Sequence, residues 1–315
     1  MVRLAVTLGD PRGIGPEVVS GATRALVRDD VELVLVGPTG TVADSVGEAE
    51  RVELGRWTGA GDGPTAGRLA GEAIRHAAGL ALRGEVDGIV TAPIDKRALR
   101  AGGFAYPGHT EMLAALCDVC PVGMLMCAER TGAGGTLRVL LATTHIALSD
   151  VPRALSADLL VDQTSLLHDA LRDEWGLERP RLALCAVNPH ASDDGLFGDE
   201  EARLLRPALV RLGEAGIAAA GPIPADTVFV RALRGEFDAV VAPYHDVGMA
   251  AFKTAAFGHG VNVTLGLPFV RTSPDHGTAL DIAGRGVADV SSMMEAIALA
   301  VRLVHARRPV EANRS

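Results

Sequence analysis

The segment "RLAVTLGDPRGIGPEVV" (residues 3–19) decides how this chain is read. Its first six residues are an apolar run of strand length. A turn rich in glycine and proline follows, and Pro16 stands where a helix begins, its ring fixing φ near the helical value. Strand, tight turn and helix make one β/α step. The glycines lack the G-x-G-x-x-G spacing of a dinucleotide-binding Rossmann turn, so they read as turn formers.

The alternation continues along the chain. Further strand-like runs are "VELVLVG" (31–37), "VDGIVTA" (86–92), "GMLMCA" (123–128), "LRVLLATT" (137–144), "RLALCAV" (181–187), "FDAVVAPY" (237–244) and "VNVTLGL" (261–267). Helical patterns at 65–84, 156–176 and 199–216 separate them. A last helix opens at a capping box, Ser292-x-x-Glu295, and runs through "MMEAIALAVRLVHARR" (293–308). Near-continuous Val/Leu/Ala strands separated by helices predict an α/β fold, a mainly parallel sheet covered on both faces. The Gly-rich "TGAGDGPTAG" (58–67) reads as a surface loop.

Composition excludes several classes. A chain of 315 residues, 48% hydrophobic and 22% charged, has ample core for one large or two medium domains. No apolar run approaches the ~20 residues of a bilayer span. "MVRLAVTLGDPRG" lacks a signal-peptide pattern, so the expectation is a cytoplasmic protein with no membrane partner. A net charge of −9 with 3% aromatics opposes a nucleic-acid groove, which needs basic surface and stacking rings. "CDVC" (117–120) reads either as a redox pair or half a zinc site, or as ordinary packing. The lack of a second pair favours packing, since Cys127 and Cys185 stand alone.

In an open α/β sheet, ligands bind beyond the carboxyl ends of the strands. Three strand-like runs end in His145, His190 and His245, the last followed by Asp246; two more end in Asp95-Lys96 and Gly9-Asp10-Pro11. A single histidine after a strand reads as a surface residue. Three at equivalent edges also read as a divalent metal site with an open coordination position. His76, His168 and His305 fall on helical patterns, and His259 in a Gly-flanked turn. "LGLPFVRTSPDHGTALDIAGRG" (265–286) reads as a loop that carries Arg271, Asp275 and His276.

Of 30 basic residues only Lys96 and Lys253 are lysine. An ammonium shifts its pKa readily on desolvation and so suits proton transfer, which guanidinium does not. The two lysines are therefore candidates for such work. Lys96 either closes the same pocket as Lys253 or pairs with a carboxylate.

Taken together, "TLGDPRGIGPE", "TAPIDK", "PGHTE", "TTH", "NPHA", "FGDEE", "GPIPADT", "YHDVGM" and "NVTLGLPFVRTSPDHGTALDIAGRG" resemble the 4-hydroxythreonine-4-phosphate dehydrogenase family of vitamin B6 biosynthesis and its paralogues, over nearly the whole chain. The resemblance implies an isocitrate/isopropylmalate dehydrogenase-like three-layer αβα fold. Its two domains, 1–120 plus 265–315 on the cofactor side and 121–264 at the centre, would share a mainly parallel sheet. It implies a homodimer with a shared active site and a divalent metal (Zn, Mg, Co or Mn) on His145, His190 and His245. His109, Thr110, Lys253, Asn262 and Arg271, with Lys96, would contact a small phosphorylated hydroxy acid. Asp275, His276, Gly277, Thr278 and Ala279, with Gly13, would receive NAD or NADP. The implied reaction oxidises a secondary alcohol, and the β-keto acid then loses carbon dioxide.

Beside Lys253, Asp226 and Asp246 are candidates for ligand orientation or proton relay. Asp226 reads equally as the N-cap of the helix that follows. The sequence departs from the vitamin-pathway members at Asp95, which replaces a histidine-containing variant of the "TAPIDK" motif. That leaves open paralogue substrates such as 4-phospho-D-threonate, 4-phospho-D-erythronate or a cyclic dihydrodiol carboxylate. A non-redox acyl or phosphate transferase on the same fold is the other class.

Overall fold

The computed structural model describes residues 1–26, 30–46, 49–59 and 62–307. Residues 60–61 of the expected Gly-rich loop and Arg308 of the last helical pattern lie outside them. In chain order the first elements are β1 (Val2–Thr7), α1 (Gly15–Ala25), β2 (Val31–Thr39), β3 (Glu50–Arg56), α2 (Gly63–Leu82), β4 (Gly88–Thr91), α3 (Lys96–Ala101), α4 (His109–Cys117), β5 (Gly123–Ala128) and β6 (Leu137–Leu141). There follow α5 (Val151–Ala154), α6 (Ala157–Asp173), β7 (Leu182–Cys185), α7 (Arg206–Glu214), β8 (Ala219–Ile223), α8 (Ala225–Leu233), β9 (Ala239–Ala242), α9 (His245–Ala256), β10 (Val261–Leu265), β11 (Val270–Pro274) and α10 (Ser291–Arg307). The fold is α/β with mainly parallel strand pairing.

Two compact units divide the chain: Met1–Cys120 with the residues from Leu267 onward, and Pro121–Gly266. In the first, the strand order is β3-β2-β1-β4-β11, and these neighbours pair in parallel. β4 is buried throughout and β1 at all positions but Arg3, so both faces are covered. α2 packs on β1, β2 and β4, while α10 packs on β11, β4 and β1. That coverage is why these strands read as unbroken apolar runs.

The opening turn owes its glycines to close backbone approach. Gly9 has φ 70°, and a Cβ there would stand 2.3 Å from the Pro93 carbonyl oxygen. A Cβ on Gly15 would stand 2.4 Å from the carbonyl oxygen of Leu8. The turn after β1 is thereby pressed against the turn after β4, and Pro16 starts α1 as expected.

In the second unit the order is β10-β5-β6-β9-β7-β8. The β10–β5 and β5–β6 pairs are antiparallel and the others parallel. Its core gathers Val139, Leu141, Val240 and Cys185 of the strands with Val228 and Phe229 of α8 and Phe252 of α9. Phe252 is fully buried, and truncating such a ring to Ala costs about 3–5 kcal/mol.

The structure corrects four sequence expectations. Arg271 stands on a buried strand, β11, rather than in a loop. Two more strands, β3 and β8, were not expected; each is the last in its unit's order, partly exposed and weakly patterned. The Ser292 capping box does not form: α10 begins one residue earlier, Ser291 N donates to Asp289, and the Ser292 hydroxyl faces Asp275 instead (3.5 Å). Asp226 is not an N-cap either. Pro224 holds that position, and Asp226 lies exposed in the first turn of α8.

Candidate functional site

The first unit builds a cationic cluster around Arg271, the second residue of β11, and Thr91, the last of β4. Arg271 is 2% exposed, and its Nη2 donates to the Thr91 hydroxyl at 2.6 Å. Burial pushes its pKa down to about 10, opposed by the nearby Glu111 carboxylate, so the guanidinium stays charged at neutral pH. His109 is the first residue of α4, where backbone N–H groups favour negative charge. Burial, then Arg271 and Lys96, hold the His109 pKa well below its ordinary value, which keeps the ring neutral. Its Nε2 is buried with no hydrogen-bond partner among the described residues. A buried polar atom in that condition is costly and fits a ligand atom not yet present. Thr110 follows it on α4, half-buried, and Lys96 is exposed at the start of α3.

Beside this cluster, Arg12 forks onto Asp10 from Nε (3.0 Å) and Nη2 (2.6 Å) and reaches Asp95 at 3.2 Å. Asp95 caps α3, accepting from the N–H groups of Arg97 and Ala98. Burial pushes the Asp95 carboxyl up, but those N–H groups and Arg12 outweigh it and hold it below its ordinary range.

In the second unit the structure brings His145 and His245 together, with ring centroids 5.4 Å apart. Two imidazoles on one tetrahedral zinc, with N–metal distances of ~2.0–2.1 Å, put their ring centres about 5 Å apart, so the pair fits two ligands of one ion. His245 Nδ1 lies 2.8 Å from Asp246 Oδ1. A ring that gives Nδ1–H to a carboxylate keeps the Nε2 lone pair for a metal. His190 is not gathered with them: among the described residues no three His, Cys, Asp or Glu side chains are grouped to hold an ion. Its ring lies instead 6.5 Å from that of Phe197, in a left-handed stretch of chain.

The other expected residues are distributed as follows. Lys253 lies half-buried on α9, two turns after His245. Asn262, on β10, has a buried Oδ1 with no hydrogen-bond partner among the described residues. The 275–279 segment is fastened to the opening turn: Ile14 N donates to the Thr278 carbonyl at 2.9 Å, and a Cβ on Gly13 would come within 2.6 Å of that oxygen. Gly13 thus serves packing. Gly277 has open space around it, His276 Nε2 is buried with no hydrogen-bond partner among the described residues, and Ala279 takes φ 40°. Cys117 and Cys120 are free, and burial raises the Cys117 thiol, which suits packing rather than redox work.

Sequence reasoning missed three groups. Thr91, the first residue of "TAPIDK", was not singled out and is found through Arg271. Asp10 was noted at a strand end, but its pairing with Arg12 was not. Glu201, fully buried, accepts from Val187 N (2.9 Å), Asn188 N (2.7 Å) and Asn188 Nδ2 (2.9 Å), just before His190.

The structure superposes on a 4-hydroxythreonine-4-phosphate dehydrogenase from Klebsiella pneumoniae with a TM-score of 0.84 at 38% identity, covering 96% of this chain and 100% of that one. A terephthalate 1,2-cis-dihydrodiol dehydrogenase from Burkholderia xenovorans LB400 gives 0.67 at 26% identity, with 96% and 98% covered. The chain thus shares the α/β fold of these dehydrogenases, and its dehydrogenase relatives make it an oxidoreductase. A 4-hydroxythreonine-4-phosphate dehydrogenase from Beijerinckia indica is 42% identical over 95% of this chain and 94% of its own length. The family model described as "Pyridoxal phosphate biosynthetic protein PdxA" matches residues 24–300, and the chain belongs to that family.

Proposed function

We propose that this chain oxidises a phosphorylated 3-hydroxy acid of the 4-hydroxythreonine 4-phosphate type with NAD or NADP, and that the β-keto acid so formed loses carbon dioxide. The observation that carries the reading is the buried, charged Arg271 beside a neutral His109 at the start of α4, an arrangement suited to a phosphate or carboxylate. The identity to dehydrogenases of that name supports the substrate class.

Each residue then has a task. Arg271 neutralises the anionic group, while His109 and Thr110 hydrogen-bond to it and Lys96 adds charge. Asn262 orients the substrate through its unpartnered Oδ1. Lys253 takes the hydroxyl proton as the C–H hydride leaves, and returns a proton to the carbon freed when the bond to the carboxyl group breaks. His145 and His245 would hold a divalent cation, with Asp246 fixing one ring, and His190 of a second copy would complete the set. Exposed Ile146, Leu148, Leu196 and Phe197 on the loops that carry His145 and His190 give such a homodimer an apolar surface. Asp226 belongs to the proton path only if a second copy or the substrate reaches it. His276 Nε2 and the bare backbone at Gly277 suit the adenosine portion of the cofactor. When bound, the cation supplies Lewis acidity and the nicotinamide accepts the hydride.

The test is the absorbance of reduced nicotinamide with 4-hydroxythreonine 4-phosphate and its dephosphorylated form, in wild type and Arg271→Lys. The phosphorylated substrate should be strongly preferred, and the variant should lose most of that preference through KM. Equal turnover of both forms, or none of either with metal and cofactor supplied, overturns the reading.

A further inference from the structure

His190 stands on a backbone that side chains rarely adopt. His190, Ala191, Ser192, Asp193 and Asp194 have φ of 53°, 55°, 69°, 47° and 54°, five consecutive non-glycine residues in a region usually visited singly. Such a run persists only where its surroundings over-determine it. Local hydrogen bonds from Ala191 N to Asn188 O (3.2 Å) and from Phe197 N to Ser192 O (3.1 Å) close the turn but do not anchor it to the fold.

The anchor is Glu201. Its side chain is 0% exposed, and three donors converge on it: Val187 N and Asn188 N on Oε1, Asn188 Nδ2 on Oε2. The same Nδ2 also donates to Glu200 Oε2 at 2.7 Å. Glu201 opens a single π turn (Glu201–Leu205), a local rewinding that re-aims side chains and recurs at functional sites. Asn188 is two residues before His190, so the clamp sets the direction in which the chain leaves β7. A fully buried carboxyl group is an expensive way to fill space, and an apolar residue would pack more cheaply. What it adds is direction.

We propose that Glu201 is the positioning residue for His190, holding Asn188 so that the left-handed turn presents the imidazole to a divalent cation. The proposal rests on the reading of His190 as a metal ligand, and the experiment separates the two. Zinc or cobalt(II) is titrated by calorimetry into metal-free full-length wild type, Glu201→Gln, His190→Ala and the double variant. Hydrogen exchange of the 191–197 amides is followed in the metal-free proteins. Glu201→Gln should weaken metal binding about 10–100-fold, as loss of a partner behind a ligand does. It should speed exchange of those amides, and it should add nothing in the His190→Ala background.

If His190→Ala weakens binding while Glu201→Gln binds as wild type, the positioning role is overturned. So it is if the two losses add fully, because Glu201 then acts elsewhere. If His190→Ala itself binds metal as tightly as wild type, the ligand reading falls, and this assignment with it. Should Glu201→Gln not fold, Asn188→Ala, which keeps the backbone donors, takes its place in the same cycle.

Discussion

Arg271 Nη2 and the Thr91 hydroxyl meet at 2.6 Å across two neighbouring parallel strands, both residues buried. A guanidinium enclosed in this way needs its acceptors. Thr91→Val keeps the shape and removes one of them, leaving a charged donor in the interior. The expected loss is about 1.5–3 kcal/mol of stability, read as a shift of the urea midpoint at constant m-value. Thr91→Ser should recover most of it. A Val variant as stable as wild type would show that Arg271 is satisfied without this hydroxyl.

His109 gives stability a signed dependence on pH. Burial first, then the charges of Arg271 and Lys96, keep its folded-state pKa well below 6.5. As pH falls below 6.5 the unfolded chain takes up a proton that the native ring refuses, so the native state loses stability in that window. The slope from this one group is at most ~1.4 kcal/mol per pH unit, and it vanishes above 6.5. His109→Asn cannot titrate. Urea denaturation at successive pH values below 6.5 should therefore give a shallower decline for the variant. Parallel curves would mean that the ring protonates in the native state as readily as in the unfolded one.

The strands that the sequence revealed are those buried on both faces, such as β1, β4 and β9, whose buried positions are mostly apolar. β11, "VRTSP", is just as buried, yet reads as a loop, because its polar groups find partners from distant parts of the chain. Arg271 is met by Thr91, and the Thr272 hydroxyl donates to the Ala296 carbonyl at 2.8 Å. Periodicity sees polarity but not its satisfaction. The same limit hid Glu201: in "FGDEE" three acids look like a solvated run, although one is fully enclosed. By contrast, His145, His245 and Lys96 were legible because they follow strands, and β/α geometry fixes where such residues go.

Asp95 does two jobs that substitution can separate. Its side chain accepts the N–H groups of Arg97 (2.8 Å) and Ala98 (3.1 Å), capping α3, and it also meets Arg12. Asparagine caps as well as aspartate, so Asp95→Asn should cost under ~1 kcal/mol, the worth of a partly exposed ion pair. Asp95→Ala removes the cap too and should cost about 0.5–2 kcal/mol more. Thermal or urea unfolding of the two variants separates the contributions. Equal losses would mean that the cap contributes nothing and that the charge alone matters.

Asp246 offers the cleanest separation of function from stability. Its side chain is 87% exposed, so truncation should change folding stability by no more than about 0.5 kcal/mol. Yet its Oδ1 lies 2.8 Å from His245 Nδ1, a contact that occupies Nδ1 and leaves Nε2 for a metal. Asp246→Ala lets the ring turn and change tautomer, so affinity for zinc or cobalt(II) should fall about 10–100-fold while the unfolding midpoint of the metal-free protein stays put. Calorimetric metal titration beside urea denaturation measures both. Undiminished affinity would mean that packing alone orients His245, and a matching loss of stability would make Asp246 a structural group. Only the split between the two readings marks a carboxylate that works through the imidazole it holds.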